Sequence, residues 1–215
     1  MPLQEYLTYN EVHKLCQEAA PRILSEFKPQ LIIAIGSGGY VPARMLRSLL
    51  KQPGAPDIPI QAIGLSFYRH NPQSEYSAAI SSESSQQPTT KVIRTQWLDF
   101  HNQTQIKSLV GKRILIVDEV DDTRSTLAFA VSELKNDIEQ ARKISNEEVS
   151  ETTFNIFVLH NKIKEKEGKL PDEILLNHYI AARTVEDVWI SYPWEAKDID
   201  EHDKLARNKS VEISK

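Results

Sequence analysis

"ILIVDEVDDTRST", residues 114–126, sets four aliphatic residues directly against Asp118, Glu119, Asp121 and Asp122, then Thr123, Arg124, Ser125 and Thr126. A short, continuous apolar run suits a strand covered on both faces. From Thr123 the period changes, and Leu127, Ala130, Val131, Leu134, Ile138 and Ala141 form one helical stripe. The stretch therefore reads as a buried strand that delivers carboxylates into the turn before a helix. A helix cap accounts for one of them, Asp122. It does not account for Asp118 and Glu119, which follow buried residues directly.

Outward from this stretch the same pattern recurs. Leu31–Ile35 is apolar and runs into Gly36-Ser37-Gly38-Gly39, after which Pro42, Ala43, Met45, Leu46, Leu49 and Leu50 fall at helical spacing. Ahead of it, Thr8 or Asn10 can cap a helix carrying Val12, Leu15, Cys16, Ala19 and Ile23. Ile60–Tyr68, Val92–Leu98 and Phe154–Leu159 read as further strands, and Tyr179–Ala182 and Val188–Ile190 as short ones. Residues 69–90 are rich in Ser and Gln with little to bury, and residues 162–169 read as a charged loop. Strands alternating with helices predict an α/β fold, a central, mostly parallel sheet flanked by helices. Such sheets bind ligands beyond the carboxyl ends of their strands. Gly36–Gly39 and Asp118–Asp122 both occupy such ends.

Composition narrows the classes. A net charge of −4 gives no basic field, so nucleic acid is not an expected partner. A lone cysteine, Cys16, builds neither a disulfide framework nor a thiolate zinc site; it is expected on the apolar face of the first helix. The N-terminal residues lack a charged-then-apolar signal, and no run approaches the ~20 apolar residues of a membrane span. A cytoplasmic protein without membrane partners is the expectation.

Three chemistries compete for the acidic stretch. A nucleotide-hydrolysing motor needs a glycine loop ending in Gly-Lys-Ser/Thr, and Gly36-Ser37-Gly38-Gly39-Tyr40-Val41-Pro42 has no lysine. A dinucleotide fingerprint fails because Val41 stands where its third glycine belongs. The third uses the whole stretch. Free N–H groups and hydroxyls of Thr123–Thr126 at a helix N-terminus suit a phosphate dianion, and carboxylates just before them can accept from sugar hydroxyls. A ribose phosphate would span both.

These residues resemble a known family. "ILIVDEVDDTRST" is similar to the phosphoribosyl pyrophosphate signature of type I phosphoribosyltransferases: an apolar run, two acids, two spacers, then Asp-Thr and small or hydroxylated residues. "IIAIGSGGYVPAR" resembles the pyrophosphate loop, "IPIQAIGLSFY" the strand leading into a flexible lid, and "TVEDVWISYPWE" the base-holding hood of 6-oxopurine enzymes. With "FVLHNK" the resemblance covers most of residues 6–200 and is nearest the fungal hypoxanthine-guanine and xanthine branch. It implies one domain over residues 1–200, with a lid at 66–91, a hood built from the N-terminal and 160–196 segments, and a polar tail at 201–215.

The resemblance also implies roles. Asp118 and Glu119 match the pair that holds the ribose hydroxyls with Mg2+ assisting, and Glu195 matches a carboxylate for a second magnesium near pyrophosphate. Asp122 matches the acid against the purine's imidazole nitrogen and, with Thr123, Arg124, Ser125 and Thr126, borders the 5-phosphate cradle. Relatives often carry glycine at Arg124, whose side chain is expected to point outward. Ser37, Gly38 and Gly39 match the pyrophosphate loop, with a cis peptide expected between Gly36 and Ser37. Many relatives carry Lys or Arg at Ser37; Arg44 is a substitute only if it is not a plain surface residue. Ser66, Phe67 and Tyr68 would begin the lid. Trp189 would stack on the purine with Ile190 beside it, and either His160 or Lys162 would donate to its 6-oxo group. The implied activity transfers phosphoribose from phosphoribosyl pyrophosphate to hypoxanthine, guanine or xanthine, giving the nucleoside monophosphate, in a homodimer or higher homo-oligomer. The rival class is a non-catalytic sensor of the sugar diphosphate or a nucleotide on the same fold. It usually brings a DNA-binding domain and a basic surface, and would not need Asp122.

Overall fold

Alternation along each strand decides which helix it meets. The computed structural model describes residues 4–69, 90–100, 109–145 and 150–212. In chain order the elements are β1 (Gln4–Tyr6), α1 (Tyr9–Glu26), β2 (Leu31–Gly36), α2 (Tyr40–Leu49), β3 (Ile60–Arg69), β4 (Thr90–Gln96) and β5 (Arg113–Asp121). There follow α3 (Ser125–Ser145), β6 (Thr153–Ile163), α4 (Asp172–Asn177), β7 (Tyr179–Glu186), β8 (Trp189–Ser191), a 3-10 turn (Pro193–Glu195) and α5 (Ile199–Glu212). Six strands form a sheet in the order β4-β3-β2-β5-β6-β7, parallel except for the antiparallel β3–β4 pair.

Both faces of this sheet are covered. Ile33, Ile35, Ile114, Ile116, Ile156 and Val158 pack with Leu127, Val131, Leu134 and Ile138 of α3. Their sequence neighbours Ile32, Ala34, Leu115, Val117, Phe157 and Leu159 turn to the opposite face, under Val12, Cys16 and Ile23 of α1 and Leu46 of α2. Cys16 is fully buried, as its place in the apolar stripe predicts, and burial pushes its thiol up to about 12. Thr8 caps α1 with a complete capping box: its Oγ1 accepts from Glu11 N, and Glu11 returns a carboxylate oxygen to Thr8 N.

The topology fixes where a ligand belongs. From β2 the chain crosses by α2 to β3 on one side; from β5 it crosses by α3 to β6 on the other. Between the carboxyl ends of β2 and β5 the crossovers diverge and leave a crevice. A second, two-stranded parallel sheet pairs β1 with β8, Glu5 opposite Ile190.

Ser66, Phe67 and Tyr68 end the expected strand that leads toward the lid segment, and they pair with Ile93, Val92 and Lys91 in the β3–β4 ladder. Residues 70–89, most of the segment read as a lid, lie outside the described residues. His160 and Lys162 sit on β6 rather than in or before a charged loop, because β6 continues to Ile163 with β5 on one side and β7 on the other. Two flanking ladders override the polar sequence there. The polar segment after Trp194 reads as a surface helix or a tail, and over residues 201–212 it is helical. Through residue 212 it belongs to α5, which buries His202 and Ala206; His202 Nε2 lies 2.8 Å from the Leu7 carbonyl, and its ring meets Tyr6 edge-on at 5.3 Å. Helix α4 was not anticipated, since six residues with one buried side chain, Ile174, carry no readable period.

Candidate active site

The crevice between β2 and β5 is a cleft of about 260 Å³. Gly36, Ser37 and Gly38 line one wall, and Asp118, Glu119, Asp122, Thr123, Arg124 and Thr126 the other. The Gly36–Ser37 peptide is cis, as expected. Gly38 lies so close to Glu119 that a Cβ would strike its carboxyl group. Gly39 sits behind the cleft: its N–H donates to the Ile35 carbonyl, and a Cβ would meet the carbonyls of Val117 and Ile35. Ser125 does not line the cleft; its hydroxyl lies 3.0 Å from Thr123 Oγ1 and donates to Glu167. Arg44 donates to Ser48 on the exposed face of α2, the plain surface reading.

Desolvation dominates the electrostatics of the two leading acids. Burial pushes the Asp118 carboxyl up to about 8; the N–H of Glu119 opposes this, and the charges of Glu119 and Asp121 add to it. Glu119 is pushed to about 7, again chiefly by burial, with Trp194 Nε1 donating to its carboxylate at 2.9 Å and the charge of Glu195 disfavouring ionisation. Among the described residues no cationic side chain pairs with either acid. Such a pair fits a site that receives positive charge from a ligand.

A second cleft of about 170 Å³ adjoins the first and shares Glu119, Val120 and Asp122 with it. Lys162, Trp189, Ile190, Tyr192 and Glu195 complete its walls. Trp189 is 62% exposed, so its ring is not a core element. The two candidate donors separate here. Lys162 faces this cleft and holds Asp122 at 3.2 Å. His160 is buried, with Nδ1 2.9 Å from the Tyr192 hydroxyl, and lines a groove along α1 instead. Burial, aided by Arg183, lowers the His160 ring to about 4, so it stands neutral.

Several residues of the site escaped sequence reading. Lys164 joins Lys162 in bridging Asp122 and Asp187. Burial raises Asp122, but hydrogen bonds and charge from Lys164 and Lys162 outweigh it and hold the carboxyl below its ordinary range. Tyr192 and Trp194 stack at 4.8 Å, and both donate to Glu119, through its carbonyl and its carboxylate. Arg124 was expected to point outward. Its φ of 67° is the left-handed conformation that favours glycine, yet its guanidinium turns inward to Asp121 at 2.9 Å. The charge of Asp121, buried beneath the loop, draws it in. A larger groove of about 490 Å³, bordered by Gln30, Pro59 and Arg113, lies at the opposite, amino ends of the strands and holds none of these residues.

The chain is similar to known proteins over most of its length. The phosphoribosyl transferase domain family matches residues 3–142. The chain is 51% identical over 203 residues to the hypoxanthine-guanine phosphoribosyltransferase of Schizosaccharomyces pombe, covering 94% of each chain. It is 51% identical over 205 residues to xanthine phosphoribosyltransferase 1 of Saccharomyces cerevisiae, again covering 94% of each. Among solved structures, a hypothetical protein from Neisseria gonorrhoeae with bound ppGpp matches 97% of this chain and 98% of its own, at 37% identity and a TM-score of 0.74.

Proposed function

The chain belongs to the phosphoribosyl transferase domain family, and from that premise we propose that it is a purine salvage enzyme. It transfers the 5-phosphoribosyl group of phosphoribosyl pyrophosphate to a 6-oxopurine: hypoxanthine, guanine or xanthine. The observation that carries this reading is the pair of adjoining clefts with Glu119 and Asp122 in their common wall. A sugar bound in the first and a base in the second meet where the new bond must form.

In this reading the first-turn N–H groups of α3, with Thr123 and Thr126, take the 5-phosphate. Ser37 and Gly38 border the pyrophosphate, and Asp118 and Glu119 accept from the ribose hydroxyls. Trp189 and Ile190 cover the purine ring, and Lys162 rather than His160 donates to its 6-oxo group. Asp122, kept ionised by its two lysines, accepts the imidazole N–H and can take its proton. The bond from the anomeric carbon to purine nitrogen forms as that to pyrophosphate breaks. The carboxylates favour the cationic sugar between these states.

A divalent cation fits the acids. Asp118 and Glu119 are crowded and short of positive charge, and Glu195 shares a cleft with Glu119. Among the described residues no three acidic, histidine or cysteine side chains form a cage. Mg2+ needs none, since it binds through one or two carboxylates together with substrate phosphates. When bound, it would neutralise the diphosphate and orient it. No described helix is long and apolar enough to cross a membrane. A homodimer or larger homo-oligomer is what the family resemblance implies.

The test supplies phosphoribosyl pyrophosphate and Mg2+, then hypoxanthine, guanine, xanthine or adenine separately, and follows nucleotide formation. Turnover of one or more 6-oxopurines, with adenine poor because its amino group meets the Lys162 donor, is the expected result. Tight sugar-diphosphate binding without turnover of any base would overturn catalysis and leave a sensor.

A further inference from the structure

Asp121 falls at a spacer position of the acidic signature, yet it is 1% exposed and ringed by partners from three elements. Its Oδ2 accepts from Arg124 Nε at 2.9 Å and from the Tyr179 hydroxyl of β7 at 2.7 Å. Its Oδ1 lies 3.4 Å from Lys166 Nζ. Lys166 belongs to the strap that leaves β6. The same ammonium donates to the backbone carbonyls of Asp121, at 2.7 Å, and Asp122, at 2.8 Å. Two residues on, Gly168 N–H donates to the Thr123 carbonyl at 3.1 Å. A Cβ on Gly168 would run into the backbone of Arg124 and Ser125, so a larger residue could not approach the loop so closely.

Three consecutive carbonyls, of residues 121, 122 and 123, are therefore held by the strap. A trans peptide plane sets its N–H opposite its carbonyl. Pinning these carbonyls directs the N–H groups of Asp122, Thr123 and Arg124 away from the strap, on the side of the cleft those residues line. Successive N–H groups converging in this way make an anion-binding concavity.

We propose that the strap Lys166–Gly168, with the buried Asp121 as counter-charge to Lys166, is the positioning device of the phosphate loop. Lys166 touches no substrate; it sets the peptide planes that do. This rests on the reading that residues 122–126 receive the 5-phosphate. The 5-phosphate is gripped in ground and transition states alike, so a loosened loop shows in affinity rather than in turnover.

The experiment measures ribose 5-phosphate binding by calorimetry, and steady-state kinetics, for wild type, Lys166→Met and Tyr179→Phe. Lys166→Met is expected to weaken ribose 5-phosphate binding about tenfold and raise the KM for phosphoribosyl pyrophosphate by a similar factor. Its kcat should stay within about twofold, and its purine KM unchanged. Tyr179→Phe removes one hydroxyl from Asp121 without changing shape, and should give about a threefold effect of the same kind even if Lys166→Met does not fold. Wild type that fails to bind ribose 5-phosphate overturns the phosphate reading and the strap with it. Wild type that binds, with folded variants showing unaltered affinity or equal losses in both KM values and kcat, overturns the strap alone.

Discussion

At the scale of single residues, environment separates groups of similar chemistry. Asp118 and Asp122 are four positions apart in one stretch. Burial without a cationic partner pushes the Asp118 carboxyl up to about 8, while Lys164 and Lys162 hold Asp122 below its ordinary range. Asp122→Asn retains the shape and loses the acceptor charge. It is expected to lower kcat by about 10²-fold or more, with affinity for phosphoribosyl pyrophosphate within a few-fold of wild type. Full activity in this variant would remove the proton role. His160 yields a stability prediction. Its ring drops from 6.5 to about 4 on folding, so between those values the unfolded chain binds more protons than the native one. Its contribution is whole above pH 6.5 and is lost as pH falls toward 4, on the order of 3 kcal/mol for this buried ring. The raised acids act in the opposite sense over the same range, so the difference between wild type and His160→Gln is the quantity to follow. Urea midpoints from pH 7 to pH 4 should converge for the two proteins as acid is added; parallel curves would refute the assignment.

At the scale of elements, strand-turn-helix units were legible because they rest on local pattern. The apolar runs of β2, β5 and β6, the stripe of α3 and the glycines after Ile35 all announce themselves within a dozen residues. What stayed hidden depends on partners far along the chain. Asp121 looked like a spacer because its meaning is given by Tyr179, 58 residues away, and Lys166, 45 away. Lys162 and His160 could not be told apart because Tyr192, which occupies His160, arrives from a third segment. Gly39 was read as a ligand contact, but its place is set by the β2–α2 junction, where the carbonyls of Val117 and Ile35 leave no room for a Cβ. Gly39→Ala should therefore cost about 1–3 kcal/mol as an overpacking change. That would appear as a lower thermal midpoint with the KM for phosphoribosyl pyrophosphate nearly preserved. A raised KM at unchanged stability would return Gly39 to the ligand.

At the scale of the whole molecule, the two sheets divide the labour. The six-stranded sheet carries the loop of residues 122–126, the glycine loop and the acids at the carboxyl ends of β2 and β5. The β1–β8 pair carries Trp189 and Ile190, which wall the second cleft. Helix α5 packs on this smaller part: His202 meets the Tyr6 ring of β1 and the carbonyl of Leu7 just after it. The small sheet has three paired residues in each strand and cannot sustain itself without such cover. Removing residues 199–215 should loosen β1 and β8 while the covered six-stranded core stays folded. The expected signature is asymmetric. Purine KM should rise about tenfold, with the KM for phosphoribosyl pyrophosphate within about twofold, since no residue of α5 lines the first cleft. Two bridges limit how far the parts separate, because Trp194 and Tyr192 tie the wall of the second cleft to Glu119 in the first. If those bridges dominate, both KM values rise together in the truncated chain, and the molecule is one mechanical unit rather than two.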